Sequence, residues 1–297
     1  MCTSGACAAR LRSEFELEPV EYSSTRAVAA SPTERAGDIM TAFADPTIAA
    51  ILATIGGDDQ ITVLRHLDPA VVAANPKPFF GYSDSTNLLN FLWYAGVVGF
   101  HGGSVLVHLA RPGGMHPLTA ASLRAALFTA GEYELVAPDE FGDETIDWAV
   151  PANLERDPPM RLAQPWTWRH ADQVVQGPTW GGNLEILSWL LAADRFVAAP
   201  QDYDGAVLFI ETSEEMPPAR RGVPDAAQHG RARRVVAVRC GADRASQGLE
   251  LRSAAGSRGP GPSTRRNNGP PCARRWISTT RASWPCSMWT SGTPTHS

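Results

Sequence analysis

The chain has 297 residues, of which 43% are hydrophobic, so it can bury a sizeable core and is expected to form two domains. No apolar run is long enough to span a bilayer, and the first residues lack the basic start and apolar stretch of a signal peptide. The five cysteines form no CxxC pair, and without a secretory signal they are predicted to be free thiols in a cytoplasmic protein. We also predict no membrane contact.

The net charge of −5 conceals a break in composition. Residues 1–219 carry 12 basic and 28 acidic side chains, whereas residues 220–297 carry 14 arginines and only three acids. Arg, Ser, Gly and Pro dominate this tail, and such a composition predicts disorder. The tail has no RNA-binding signature, so we predict no nucleic-acid partner. We interpret the break as a reading-frame shift near Ala219.

Helical and strand patterns alternate along the first part of the chain. Helices are predicted for residues 8–15, 33–43, 60–67, 87–93 and 119–129, and strands for residues 48–55, 78–80 and 97–100. Strands that alternate with helices form a parallel sheet, so the fold class is α/β. A polar, proline-rich stretch then precedes a helix at 184–191 and a strand at 206–211.

These patterns predict three regions. Residues 1–150 form an N-terminal α/β domain with a parallel sheet, and residues 151–176 connect it to the next domain. Residues 177–297 form a C-terminal mixed α/β domain that is truncated or frameshifted after about residue 219. Residues 220–297 are therefore expected to be non-native or disordered sequence.

Ser83 lies where the strand at 78–80 gives way to the helix at 87–93. A serine at such a turn can project its hydroxyl from the sheet edge, next to backbone N–H groups at the helix start. That geometry suits a nucleophile. Taken alone, however, the pattern favours the alternative that Ser83 and Asp84 simply cap the helix.

Two further features stand at strand ends. Gly56 and Gly57 follow the strand at 48–55, where a glycine turn can bring N–H groups close to an oxyanion or can simply be a tight turn. Glu211 ends the strand at 206–211, and a carboxylate there points toward the usual ligand crevice of an α/β fold. An ordinary solvated acid is the alternative, and the local pattern favours it.

Histidine spacing does not predict a metal site. His101, His108 and His116 lie seven and eight residues apart without the partners of a zinc motif, so they are interpreted as ordinary loop histidines. The glycine turn also lacks the spacing of a nucleotide-binding fingerprint. We therefore expect neither a metal ion nor another cofactor.

Together, these pieces resemble the LD-carboxypeptidase family of serine peptidases, in its microcin C self-immunity branch. The resemblance covers residues 10–219 and runs through six segments in the family's order. They are Ala44-Asp45-Pro46, Ala53-Thr54-Ile55-Gly56-Gly57-Asp58-Asp59, Asn75-Pro76-Lys77 leading into Gly81-Tyr82-Ser83-Asp84-Ser85-Thr86, His101-Gly102, Trp180-Gly181-Gly182-Asn183-Leu184-Glu185 and Leu208-Phe209-Ile210-Glu211.

The resemblance implies a Ser–Glu–His triad that cleaves an amide next to a C-terminal residue. Ser83 matches the nucleophile and Glu211 the acid that orients the histidine, while the N–H groups of Gly57 and Asp84 match the oxyanion hole. Trp180 is implied to line the substrate pocket, although core packing is the alternative for this side chain. The implied substrate is a muropeptide or a peptide–nucleotide conjugate, and the implied assembly is a homodimer.

The sequence departs from the family at the histidine. Only His229 and His296 follow Glu211, and neither has the family's Asp-Phe-Gly-His context. The family's first strand and helix are also expected to be missing. We therefore predict at best weak activity, with a catalytically dead binding protein as the alternative. A glutamine-amidotransferase-like hydrolase is a third hypothesis. That class requires a cysteine at the nucleophile position, and Ser83 argues against it.

Overall fold

A three-stranded parallel sheet organises the N-terminal part of the molecule. The computed structural model describes residues 3–142, 147, 150–168, 174–212 and 236–239. The strands β1 (Ile51–Leu52), β2 (Phe79–Gly81) and β3 (Phe100–His101) lie in the order β1-β2-β3. In register, Ile51 pairs with Phe79 and Gly81 pairs with His101. The predicted α/β class with a parallel sheet is confirmed.

Six α-helices belong to the described residues. They are α1 (Thr3–Phe15), α2 (Pro32–Ala44), α3 (Pro69–Ala74), α4 (Thr86–Tyr94), α5 (Pro117–Phe128) and α6 (Leu184–Ala192). Their starts carry the expected signals: Ser31 and Glu34 form a reciprocal capping box on α2, and the Asn183 side chain accepts from the N–H of Ile186 on α6. None of the described helices has the length and apolar character needed to cross a membrane.

Adjacent residues of β2 face opposite sides of the sheet, because side chains alternate along a strand. Phe79 packs into a cluster with buried residues of α2, α3, α4 and α6, including Phe91 and Ile186. Phe80 packs into a second cluster with α1 and α5, and its ring stacks on Phe100 at 4.8 Å between centroids. The sheet is therefore covered by helices on both faces, as expected for parallel strands.

A second sheet carries the end of the described chain. Strand β6 (Thr179–Asn183) pairs in parallel with β7 (Val207–Glu211), and β7 pairs antiparallel with β8 (Val236–Arg239). The strands β4 (Glu140–Phe141) and β5 (Arg161–Leu162) form a separate antiparallel pair. Because Ile186 and Leu190 of α6 share the cluster of Phe91, the second sheet is anchored to the first through its own helix.

Several elements differ from the sequence prediction. The strand predicted for 48–55 is limited to β1, since the N–H of Ile48 closes a turn onto the carbonyl of Asp45. The helix predicted for 60–67 is instead two 3-10 turns, Gln60–Thr62 and Leu64–His66, because the N–H of Gln60 is held by a distant side chain. Helix α3 and strands β6 and β8 were not predicted. The predictions for residues 213–235 and 240–297 lie outside the described residues.

Candidate active site

Ser83 has a left-handed backbone conformation directly after β2. Its φ is +57°, a region that residues with a Cβ rarely adopt, and a 3-10 turn (Ser83–Ser85) then leads into α4. The strand–serine–helix arrangement predicted from the sequence is therefore present, together with the strained turn that lifts a side chain off a sheet edge. At the two N-cap positions, Tyr82 and Ser85, no side-chain cap hydrogen bond forms.

The glycine turn after β1 lies against Ser83. A Cβ placed on Gly56 would lie 3.0 Å from the Oγ of Ser83 and 3.6 Å from the backbone nitrogen of Asp84. A Cβ placed on Gly57 would lie 3.2 Å from the Oδ2 of Asp84. Only a residue without a side chain permits this approach without a shift of its neighbours. The structure thus brings Gly57, Ser83 and Asp84 together, while the oxyanion-hole role of the two N–H groups stays a prediction.

The carboxylate of Asp84 ties the glycine turn to the serine turn. Its Oδ2 accepts hydrogen bonds from the N–H of Asp59 at 3.1 Å and of Gln60 at 2.9 Å. Its Oδ1 accepts from the Nδ2 of Asn87 at 2.8 Å. Asp84 is 3% exposed, and burial raises the pKa of its carboxyl group. The three hydrogen bonds lower this pKa, the bond from Gln60 most strongly, but burial is the larger effect. This carboxylate therefore connects two loops instead of capping the helix.

A pH dependence of stability follows from Asp84. Because its pKa is raised, the Asp84 carboxyl keeps its proton to a higher pH in the folded state than in the unfolded chain. Protonation of Asp84 therefore stabilises the fold at acidic pH, and this stabilisation is lost as pH rises through the folded-state pKa. We expect the free energy of unfolding, measured by urea titration, to fall between pH 4 and pH 7 in the wild type and to fall less in Asp84→Asn. Asp58→Asn, an exposed change in the same loop, is the control for a lost negative charge. Equal slopes for wild type and Asp84→Asn would contradict the assignment.

The strand that ends in Glu211 is docked on the start of α4. Asn183, the register partner of Glu211, donates its backbone N–H to the Oγ1 of Thr86 at 2.9 Å. The Nδ2 of Asn90 donates to the carbonyl oxygens of Thr86 at 3.0 Å and of Gly181 at 3.4 Å. These contacts hold the carboxyl end of β7 beside the turn that carries Ser83. Glu211 is 5% exposed, so the alternative of a solvated surface acid is not supported.

Glu211 contacts His101, which the sequence predicted to be an ordinary loop histidine. The Nε2 of His101 lies 2.6 Å from the Oε2 of Glu211, and the His101 ring also packs against Phe209 at 4.8 Å between centroids. His101 ends β3, beside the strand that leads to Ser83. The signal that could have identified it is the one that identified Glu211, a polar residue directly after an apolar strand.

Trp180 lies in the first half of β6, away from the strand end that carries Asn183. Its ring contacts Tyr203 at 4.9 Å between centroids, and Tyr203 stacks on Trp93 at 5.2 Å with the planes only 2° apart. Trp93 belongs to the last turn of α4, whereas Ser83 precedes the first turn of that helix. These contacts are the ones expected if Trp180 packs in the core. The role of Trp180 in a substrate pocket stays a prediction.

His116 and His108 also have structural surroundings. The Nδ1 of His116 accepts from the N–H of Leu118 and caps α5, and the ring of His108 contacts Tyr82 at 5.4 Å between centroids. Among the described residues, no group of three or more His, Cys, Asp or Glu side chains is arranged to hold a metal ion.

Residues 5–102, which include Gly57, Ser83, Asp84 and His101, match the sequence profile of the LD-carboxypeptidase N-terminal domain. The predicted resemblance to this family is confirmed. The chain is 30% identical over 185 residues to the microcin C7 self-immunity protein MccF of Escherichia coli. The aligned region covers 61% of this chain and 52% of that protein. The chain thus spans about half the length of the curated relatives it matches.

Solved structures share the fold. The MccF-like protein from Streptococcus pneumoniae in complex with AMP superposes with a TM-score of 0.61 at 24% identity, over 73% of this chain and 68% of that one. The microcin C7 self-immunity protein MccF in complex with aspartyl sulfamoyl adenosine gives a TM-score of 0.55 at 27% identity, over 72% and 66% of the two chains.

Proposed function

We propose that the chain is a serine carboxypeptidase-type hydrolase that cleaves the amide next to a C-terminal residue. The observation that carries the proposal is Ser83 in a left-handed turn between β2 and α4, with the buried strand end of Glu211 fixed beside it. Similarity to LD-carboxypeptidases supports the reaction class. Peptidase chemistry of this type needs a nucleophile, a base oriented by a carboxylate, and two fixed donors for the oxyanion.

The proposed roles follow the chemistry of acyl transfer. The Oγ of Ser83 attacks the carbonyl carbon, and the negative charge that develops on the carbonyl oxygen is stabilised by the N–H groups of Gly57 and Asp84. Glu211 orients the histidine that takes the serine proton. The covalent acyl-enzyme is then hydrolysed by water, which frees the serine for another cycle. No metal ion or other cofactor takes part in this scheme.

The proposed substrates are muropeptides and peptide–nucleotide conjugates. A structural neighbour was solved with AMP and another with aspartyl sulfamoyl adenosine, which favours a small ligand that combines an aminoacyl group with a nucleotide. The family similarity favours a muropeptide tetrapeptide. The homodimer and the cytoplasmic location stay predictions.

Turnover of two probes tests this function. We expect the full chain to release D-alanine from a murein tetrapeptide or aspartate from aspartyl sulfamoyl adenosine, measured by chromatography of the free amino acid. Release from either probe supports the proposal, and the faster one identifies the substrate class. Binding of a probe without release over several days would instead support the alternative, a catalytically dead protein that keeps its pocket.

A further inference from the structure

The site contains an imidazole that comes from a strand end rather than from the C-terminal region. The Nε2 of His101 and the Oε2 of Glu211 are 2.6 Å apart, although the two residues are separated by 110 positions in the chain. The Glu211 side chain is 7% exposed and that of His101 is 21% exposed. A carboxylate so far from water needs a hydrogen-bond donor, and His101 supplies one.

This contact fixes the tautomer of the ring. An ionised carboxylate has only acceptor atoms, so the Nε2 of His101 carries the hydrogen that lies between the two groups. The Nδ1 of the same ring then has a free lone pair. In the described part of the chain, this buried nitrogen has no hydrogen-bond partner. A buried acceptor without a donor is costly in a folded protein, which makes the ring a candidate for a functional role.

The backbone places His101 directly beside the serine turn. His101 is the register partner of Gly81, and the N–H of Gly102 donates to the carbonyl of Gly81 at 2.9 Å. Ser83 follows Gly81 by two residues, and the ring of the intervening Tyr82 lies 6.2 Å from the His101 ring. The carboxyl ends of β2, β3 and β7 therefore bring a serine, a histidine and a glutamate to one edge of the molecule.

We infer that His101 is the general base of this site, an inference that rests on the proposed hydrolase function. The Oγ of Ser83 forms a bond to the substrate carbonyl carbon while its proton passes to the Nδ1 of His101. The C–N bond then breaks, and the same proton leaves with the amine product. In the second half, a water molecule gives its proton to Nδ1 and its oxygen to the acyl carbon, and the proton returns to Ser83 as the ester bond breaks.

With His101 as the base, the site has a histidine even though the Asp-Phe-Gly-His context expected after Glu211 is absent from the sequence. The role of Glu211 is unchanged, since it still holds the histidine in one tautomer, but the ring comes from β3. Hydrogen bonds between a base and its nucleophile commonly tighten only when substrate binds, so Ser83 and His101 need not be in contact beforehand.

The rate at which a fluorophosphonate labels Ser83 tests the inference on the full chain. Removal of a general base slows such a step by about 10²-fold or more. We expect this loss in His101→Ala, with at least a partial return when free imidazole fills the space left beside Glu211. His101→Gln can still donate an N–H to Glu211 but has no ring lone pair, so we expect it to fold like wild type and to label slowly. His108→Gln, which alters another histidine beside Tyr82, is the matched control and should label at the wild-type rate.

The outcomes separate the two proposals. Slow labelling of His101→Gln with a wild-type melting temperature, or rescue of His101→Ala by imidazole, supports His101 as the base. Wild-type rates in both His101 variants would overturn this assignment and leave the hydrolase function standing. Equal losses in His101→Gln and His108→Gln, without imidazole rescue of His101→Ala, would reduce His101 to a structural residue. A wild-type Ser83 that takes no label would instead overturn the proposed function itself.

Discussion

Replacement of Ser83 by alanine is expected to abolish amide hydrolysis and covalent labelling by fluorophosphonates. The Oγ of Ser83 is the only atom of this side chain that can form the acyl-enzyme bond, and nothing in the alanine side chain replaces it. Hydrolysis should fall to the residual rate that oriented backbone donors alone sustain. Released amino acid and the mass of the labelled chain are the two measurements.

A second variant at this position separates chemistry from strain. Ser83 holds a φ of +57°, which costs a residue with a Cβ about 1 kcal/mol or more and costs glycine nothing. Ser83→Gly should therefore be as inactive as Ser83→Ala but more stable to urea. Ser188→Ala, which removes an exposed hydroxyl from α6, is the control for activity. Retained turnover in both Ser83 variants would exclude this residue as the nucleophile.

Gly181→Ala is expected to unfold the sheet that carries Glu211. Gly181 has a φ of +147°, and a Cβ there would lie 1.7 Å from the carbonyl oxygen of Phe209, its register partner on β7. A backbone atom cannot rotate away as a side chain can, so the two strands must separate. We expect a loss of more than about 4 kcal/mol in the free energy of unfolding, which is exceptional for one substitution. Urea denaturation followed by circular dichroism measures it.

Gly205→Ala is the matched control for that experiment. Gly205 also has a positive φ, +77°, but no heavy atom lies within 4 Å of a Cβ placed there. Its replacement should cost only the conformational penalty of about 1–2 kcal/mol. If Gly181→Ala and Gly205→Ala unfold at the same urea concentration, the close approach of β6 and β7 at Gly181 is not a determinant of stability.

The sequence was sufficient to predict features that depend on neighbouring residues. The strand, serine and helix around Ser83 follow from one local change of hydrophobic period. The strand that ends in Glu211 was also evident, because residues 206–210 form one apolar run before the acid. Parallel strands with helices between them then placed these ends at one edge of a sheet.

Features that depend on distant partners could not be read in this way. His101 looks like a loop histidine until β3 and β7 bring it to Glu211, 110 positions later. The segment after Gly57 has a helical pattern, yet the carboxylate of Asp84 holds the N–H groups of Asp59 and Gln60 and leaves short 3-10 turns. In both cases a tertiary hydrogen bond decides the outcome, and local propensity does not contain it.

The proposed hydrolase function depends on Ser83 being an activated nucleophile. Incubation of the full chain with a fluorophosphonate, followed by proteolysis and mass spectrometry, shows whether this hydroxyl reacts. We predict one adduct per chain, located on Ser83 and absent from Ser83→Ala. A chain that stays unmodified under conditions that label an active serine hydrolase, or an adduct on another serine, would contradict the claim.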